Sequence, residues 1–414
     1  MAHLNDRQDE DAPRRGLALS WMASPIAVRI GILYGLSRLV TTGFLILAAE
    51  LSGPASRFGE NASLGSLSLG WDAQWYWSAA VNGYPTTLPL TASGQVAENT
   101  WAFMPVYAYF AQLLGLPLGS WGAGAVVISL VAGFFACLVL FRMLRERLGE
   151  GASLWAVLFF ASGPLAALFQ VGYAESLALL LLFLGILVVQ RRRYAWLYLL
   201  IPLMGFTRPG VLAFALFLGL HGIQRWVTRR KEPLPVGQIV HIVLAAALAV
   251  LVGFSWQVIA GIATGDAGAY LATELAWRRN WIGDASASFV PFEGWVLAAG
   301  FWFQTWGLGV VAGYVALGIL VSGFAALLLF EPHVRRLGPE IRLWSASYLV
   351  YLLLVFFPQS SIFRLLLPLS PLWGAVAVPR SRAWRIGVLA ACLVGQWWWI
   401  YNMYALANTY WQIP

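Results

Sequence analysis

Residues 26–50 read IAVRIGILYGLSRLVTTGFLILAAE, an apolar run interrupted by Arg29 and Arg38. A run of this length without strict alternation reads as a membrane-spanning helix. The bilayer core offers no water to backbone groups, so only helices or a closed barrel can cross it. Arg29 lies close enough to the start to snorkel to the near interface. Arg14 and Arg15, just before the run, argue for a cytoplasmic N-terminus. Arg38 is mid-span, where a lone cation costs about 2.5–3.5 kcal/mol on insertion scales. It is therefore expected to face the bundle and pair with a carboxylate or a phosphate, as a structural ion pair or as a ligand contact.

The rest of the chain repeats this pattern. It has 414 residues, 60% hydrophobic and 11% charged, with 22 Trp and a mean hydropathy of +0.72. A soluble domain carries roughly 25% charged residues, so the expectation is an all-α polytopic membrane protein. The formal charge of +8 falls in short blocks between apolar runs. Such blocks set topology and do not suggest a nucleic-acid partner. Cys137 and Cys392 both lie in apolar runs and imply no disulfide framework. Residues 1–25 form a polar, charged tail without a cleavable leader pattern, and residues 26–414 read as one transmembrane domain.

The basic blocks also fix the expected parity. Residues 51–120 form a first long loop, and 102–118 is read as an interfacial or re-entrant piece. A crossing there would carry Arg142, Arg145 and Arg147 outside. Without it, those arginines fall on the cytoplasmic side. So do Arg191–Arg193, Arg225 to Lys231, Arg335 with Arg336, and Arg380 to Arg385. The count is about eleven spans, with the C-terminus outside. Polar clusters then converge on the outer face. They are Asp72 and Glu98, Tyr173 to Glu175, Thr207 to Gly210, Pro358 to Arg364, and a second loop at 264–306. That second loop carries Asp266, Glu274, Arg278, Arg279, Asp284 and Glu293. An enzyme working at the outer interface calls for this asymmetry.

Within the first loop, residues 71–84 read WDAQWYWSAAVNGY and place Asp72 among Trp71, Trp75, Tyr76 and Trp77. Aromatic side chains with polar tips collect where membrane meets water. A carboxylate there can be tuned as a proton acceptor; the alternative is an interfacial helix with a solvated Asp. Glu175 opens an apolar helix, where the helix dipole alone accounts for an acid. Alternatively, Glu175 and Tyr173 line a polar cavity. Arg208 sits at the break made by Pro209, and irregular backbone at membrane depth is tolerated only in protein or beside a wet cavity. Its guanidinium suits a phosphate or a neighbouring carboxylate. Gln359, Ser360 and Arg364 repeat the theme near the end of the chain. His3, His221, His241 and His333 have no partners at metal-ligand spacing. No cofactor is expected, although a divalent ion held by Asp72 with Glu98 stays open. There is no Walker loop, dinucleotide fingerprint or GxSxG. Asn61–Ala62–Ser63 fits a glycosylation sequon.

Taken in order, WDAQWYWSAAVNGYP, WAFMPVYA, QVGYAESLALL and GFTRPGVL resemble bacterial relatives of the PIG-V family. These transferases add the second mannose to glycosylphosphatidylinositol and belong to the GT-C superfamily. The resemblance covers residues 26–226 and, beyond them, only the general architecture. It implies a polyprenyl-phosphate-mannose donor, a glycolipid or glycan acceptor, transfer on the non-cytoplasmic face, and Asp72 as base. It also carries over Glu175 and Arg208 as cavity residues. Arg278, Gln359 and Arg364 are added as contacts by inference from the residues, along with Glu98, Tyr173, Trp71, Trp75 and Tyr76. Two alternatives remain: a transferase using arabinose or glucose, and a transporter of lipid-linked sugar.

Overall fold

The computed structural model describes residues 24–283 and 288–408. His3, Arg14, Arg15 and Asp284 lie outside the described residues. Among the described residues the chain is helical, with one isolated bridge between Leu90 and Val96. The first half holds α1 (Ile26–Glu50), α2 (Asp72–Asn82), α3 (Pro105–Leu118), α4 (Trp121–Leu148), α5 (Glu150–Ala161), α6 (Glu175–Gln190) and α7 (Leu197–Gly205). The second holds α8 (Val211–Thr228), α9 (Val236–Thr264), α10 (Ala269–Ile282), α11 (Glu293–Thr305), α12 (Val310–Phe330), α13 (Pro339–Val355), α14 (Ile362–Leu365) and α15 (Arg382–Ile400). Five of them, α1, α4, α8, α9 and α12, are long and apolar enough to cross a membrane. This is an integral membrane protein.

Among the described residues, α13 and α15 have 17 and 19 residues, within the range of spanning length, and other expected crossings are built from shorter pieces. The expected third span is α5, whose 12 residues reach about 18 Å at 1.5 Å per residue. Irregular backbone from Ser162 to Ala174 follows it. Likewise α7 has 9 residues and stops before Thr207–Gly210. There Pro209 disfavours helical geometry at Arg208, and Gly210 takes φ 130°, open to glycine at little cost.

The break after α5 overturns the expectation for Arg38. Its Nη2 donates to the Ala161 carbonyl at 2.6 Å, and its Nη1 to the Ala166 carbonyl and to Gln170 Oε1 at 3.2 Å. The rings of Tyr34 and Phe169 lie 5.1 and 5.3 Å from the guanidinium. Its partners are thus backbone carbonyls and an amide instead of a carboxylate or phosphate. A helix stopped inside the bundle leaves carbonyls without intrahelical donors, and a guanidinium answers them without burying a second charge.

The basic blocks do gather at one end of the bundle. Arg29 pairs with Glu150 at 2.8 Å, Arg147 with Glu340 at 3.3 Å, Arg191 with Glu146 at 2.6 Å and Arg225 with Glu232 at 2.7 Å. The Arg29 side chain is buried at this end, paired with the partly exposed Glu150. The pairs of the exposed Arg147 and Arg191 contribute roughly 0–1 kcal/mol each, whereas the Arg29 and Arg225 side chains are themselves buried. At the opposite end α3 folds back along α4. Tyr107 Oη bonds the Ala125 carbonyl at 3.1 Å, Trp121 Nε1 donates to the Ala108 carbonyl at 3.0 Å, and Gly124 presses against the Ala111 carbonyl. Residues 105–118 therefore form a hairpin arm against α4.

Candidate functional site

Asp72 is the first residue of α2, and the residue before it is strained. Trp71 adopts φ 54° and ψ −124°, a region that costs a non-glycine residue of order 1–3 kcal/mol. Its neighbours hold it there. Trp71 Nε1 donates to the Met403 carbonyl at 2.9 Å, Arg57 lies 4.7 Å from the indole, and Phe58 meets its edge at 6.1 Å. The turn of α2 packs on the irregular segment ahead of α6. Gly172 N–H donates to the Ser68 carbonyl at 2.8 Å, and a Cβ on Gly172 would sit 3.2 Å from that of Ala73. This approach sets Asp72 beside Tyr173 and Glu175.

The result is a chain of alternating charges. Arg364 Nη1 donates to Asp72 Oδ2, and the same nitrogen lies 3.4 Å from Glu175 Oε1. Glu175 Oε1 also receives Arg208. Glu175 is 3% exposed, whereas Asp72 retains 20%. The segment bearing Arg364 is pinned by α13, because Tyr348 Oη donates to the Leu365 carbonyl at 2.7 Å and Trp344 Nε1 to that of Pro368 at 2.8 Å. Glu175, Arg208 and Arg364 form the charged wall of an apolar cleft. Its other walls include Leu179, Leu182, Met204, Phe214 and Leu367. Asp72 does not line the cleft and reaches it through Arg364.

No family model and no curated protein matches the chain. Among solved structures, the Archaeoglobus fulgidus oligosaccharyltransferase in complex with Zn and sulfate is similar over 90% of this chain and 53% of that one, with 14% identity and a TM-score of 0.43. The same enzyme tethered to an acceptor peptide is similar over 91% and 55%, with 13% identity and a TM-score of 0.35. The chain spans about half the length of these structures.

The geometry thus joins Asp72, Glu175, Arg208 and Arg364, with Tyr173 alongside, its ring 5.8 Å from the Arg364 guanidinium. Other expected residues make their polar contacts elsewhere. Glu98 accepts from Asn280 at 2.6 Å. Among the described residues no group of three or more His, Cys, Asp or Glu side chains could hold a metal ion. Arg278 faces Glu293 at 3.6 Å, and Gln359 donates to Ser361 at 3.3 Å. Trp75 stacks on Phe103 at 5.8 Å, and Tyr76 is buried between Phe103 and Tyr107, both at 5.1 Å. These aromatic residues build the wall that carries Asp72.

One neighbour of the site was not expected. Tyr404, in the π-helical turn Tyr401–Leu406, is fully buried, and its hydroxyl and that of Tyr173 are both buried without a hydrogen-bond partner among the described residues. Nothing in the local sequence marks it. Glu274 on α10 is one of the second-loop acids named from the sequence. Burial raises its carboxyl to about 7, against the pull of a hydrogen bond from Tyr270. It interacts with Tyr351, which packs near Gly210 beside Arg208. An acid in an otherwise apolar-to-aromatic helix, AYLATELAW, was the available signal.

Proposed function

We propose that this chain is a glycosyltransferase of the GT-C type, moving a sugar from a polyprenyl-phosphate carrier to an acceptor hydroxyl on a glycolipid or glycan. Mannose is the first candidate for the sugar. The reading rests on one observation: two arginines and two carboxylates, linked in a chain, meet an apolar cleft within the helix bundle. That pairing suits a ligand with an anionic head and a long apolar tail. Guanidinium groups offer planar paired donors to phosphate, while the leucine-rich walls suit an isoprenoid. The exposures then divide the roles of the carboxylates. Glu175 is 3% exposed and bound to both arginines, whereas Asp72, at 20%, is the acid that an acceptor hydroxyl can reach.

In the proposed reaction Asp72 takes the hydroxyl proton as the acceptor oxygen attacks the anomeric carbon. General-base help of this kind contributes about 10²–10⁴-fold. The bond to the phosphate oxygen breaks with oxocarbenium character, and Arg208 with Arg364 stabilises the departing lipid phosphate. One displacement inverts the anomeric centre, so a β-linked donor gives an α-linked product. The basic end of the bundle faces the cytoplasm by the positive-inside rule. The site then lies on the outer face of the plasma membrane, where it would serve a cell-envelope glycan.

The experiment is an assay of the purified chain in detergent against a panel of polyprenyl-phospho-sugars, including mannose, arabinose and glucose, with mass detection of released lipid phosphate. Release coupled to glycosylated acceptor supports the reading. A transporter of lipid-linked sugar would leave every donor intact.

A further inference from the structure

Arg364 stands between the proposed base and the proposed donor cleft. Its Nη1 serves Asp72 and Glu175 together, and its Nε is buried without a partner among the described residues. Glu175, which also holds Arg208, has its Oε2 buried and unpaired. The two guanidinium groups and two carboxylates cancel, so the empty site is neutral. In this arrangement Asp72 is occupied by Arg364 and screened from the cleft that Arg364 lines.

We propose that Arg364 hands its ion pair from Asp72 to the donor phosphate, so that donor binding uncovers the base and the leaving group keeps the cation. This inference rests on the transferase reading above and adds an order of events to it. The charges follow the step. A donor phosphodiester brings one negative charge to Arg208 and Arg364. The acceptor O–H bond then breaks, its proton goes to Asp72, and the acceptor oxygen bonds the anomeric carbon. The bond between that carbon and the phosphate oxygen breaks, and its electron pair stays on the oxygen, leaving a phosphomonoester dianion. Asp72 loses one negative charge as the phosphate gains one. A single guanidinium that shifts from the first to the second tracks this movement, and the total charge of the site is unchanged. Glu175 is the fixed member, retaining Arg208 while the long Arg364 side chain moves. Asp72 then releases its proton to solvent, and departure of the lipid phosphate returns Arg364 to the regenerated carboxylate.

The test follows Asp72 itself. The wild-type chain in detergent is treated with a carbodiimide, with and without decaprenyl phosphate, and modification of Asp72 is read by peptide mass spectrometry. Decaprenyl phosphate is expected to raise the labelled fraction several-fold. In Arg364→Ala the fraction is expected to be high without lipid and insensitive to it. The wild-type comparison stands alone if that variant does not fold. If decaprenyl phosphate inhibits transfer, and so binds, while Asp72 labelling stays unchanged, the hand-over is overturned and the transferase reading survives. If it neither binds nor inhibits, the transferase reading falls, and the hand-over with it.

Discussion

Asp72 and Arg364 are separated by 292 positions in the chain and joined by an ion pair in the fold. The pair ties the first loop to the segment after α13, so its two halves are separable by mutation. Asp72→Asn keeps the shape and removes the basic oxygen. Transfer is expected to fall by about 10²–10⁴-fold, the usual contribution of a general base. Lipid-phosphate binding should be at least as tight as in the wild type, since Arg364 no longer has to leave the Asp72 carboxylate and still has Glu175 at 3.4 Å. Product formation and binding of a spin-labelled lipid phosphate check the two halves. Near-wild-type turnover in Asp72→Asn would remove Asp72 from the base role.

Arg38 tests the account of the broken helix. Arg38→Ala leaves the Ala161 and Ala166 carbonyls without their donors, and an unmade hydrogen bond to a buried group costs about 1–3 kcal/mol. The expected outcome is a lowered thermal midpoint in detergent, with Arg38→Lys intermediate because an ammonium lacks the planar fork. Were Arg38 instead a phosphate ligand, Arg38→Lys would lower transfer and leave the midpoint unmoved.

The contrast between these two arginines shows what was legible in the sequence. Polar residues interrupting apolar runs, such as Asp72, Glu175 and Arg208, could be read because such interruptions are costly in a membrane. Their partners could not. A carbonyl freed by a helix break has no residue signature, so Arg38 was assigned a charged partner. Arg364 was recognisable as an anion contact, but its reach to Asp72 depends on how α13 pins residues 365–368. Helix length is hidden for a related reason: hydropathy cannot show that the backbone turns irregular at Ser162, after the 12 residues of α5. Tyr404 was invisible because only the tertiary fold brings it to Tyr173.

Glu274 gives a prediction in pH. Its carboxyl is raised from 4.5 to about 7 by burial, so between those values the folded chain holds a proton that the unfolded chain has released. Stability contributed by the neutral acid is full below the unfolded value and is lost as pH rises through about 7. The slope is at most about 1.4 kcal/mol per pH unit for one group. Thermal midpoints from acid to neutral pH should therefore decline more steeply in the wild type than in Glu274→Gln, which stays neutral throughout. Parallel profiles for the two proteins would show that Glu274 does not titrate in this window.

Trp71 distinguishes contact from positioning. The sequence suggests an aromatic residue against substrate, whereas the structure shows a strained residue anchored by its indole N–H to Met403 at 2.9 Å. Trp71→Phe keeps the ring for Arg57 and Phe58 and deletes that hydrogen bond, a loss of about 0.5–1.5 kcal/mol. With the anchor gone, the φ 54° backbone has reason to relax, and Asp72 moves with it. A displacement of roughly 1 Å at a reacting group can cost 10²-fold. The expected result is a lower kcat with an unchanged KM for the lipid donor and a small drop in thermal midpoint. Met403 offers only its carbonyl, so side-chain substitutions there should leave kcat alone, which ties the effect to the backbone bond. A raised KM with intact kcat in Trp71→Phe would instead place the indole on the substrate.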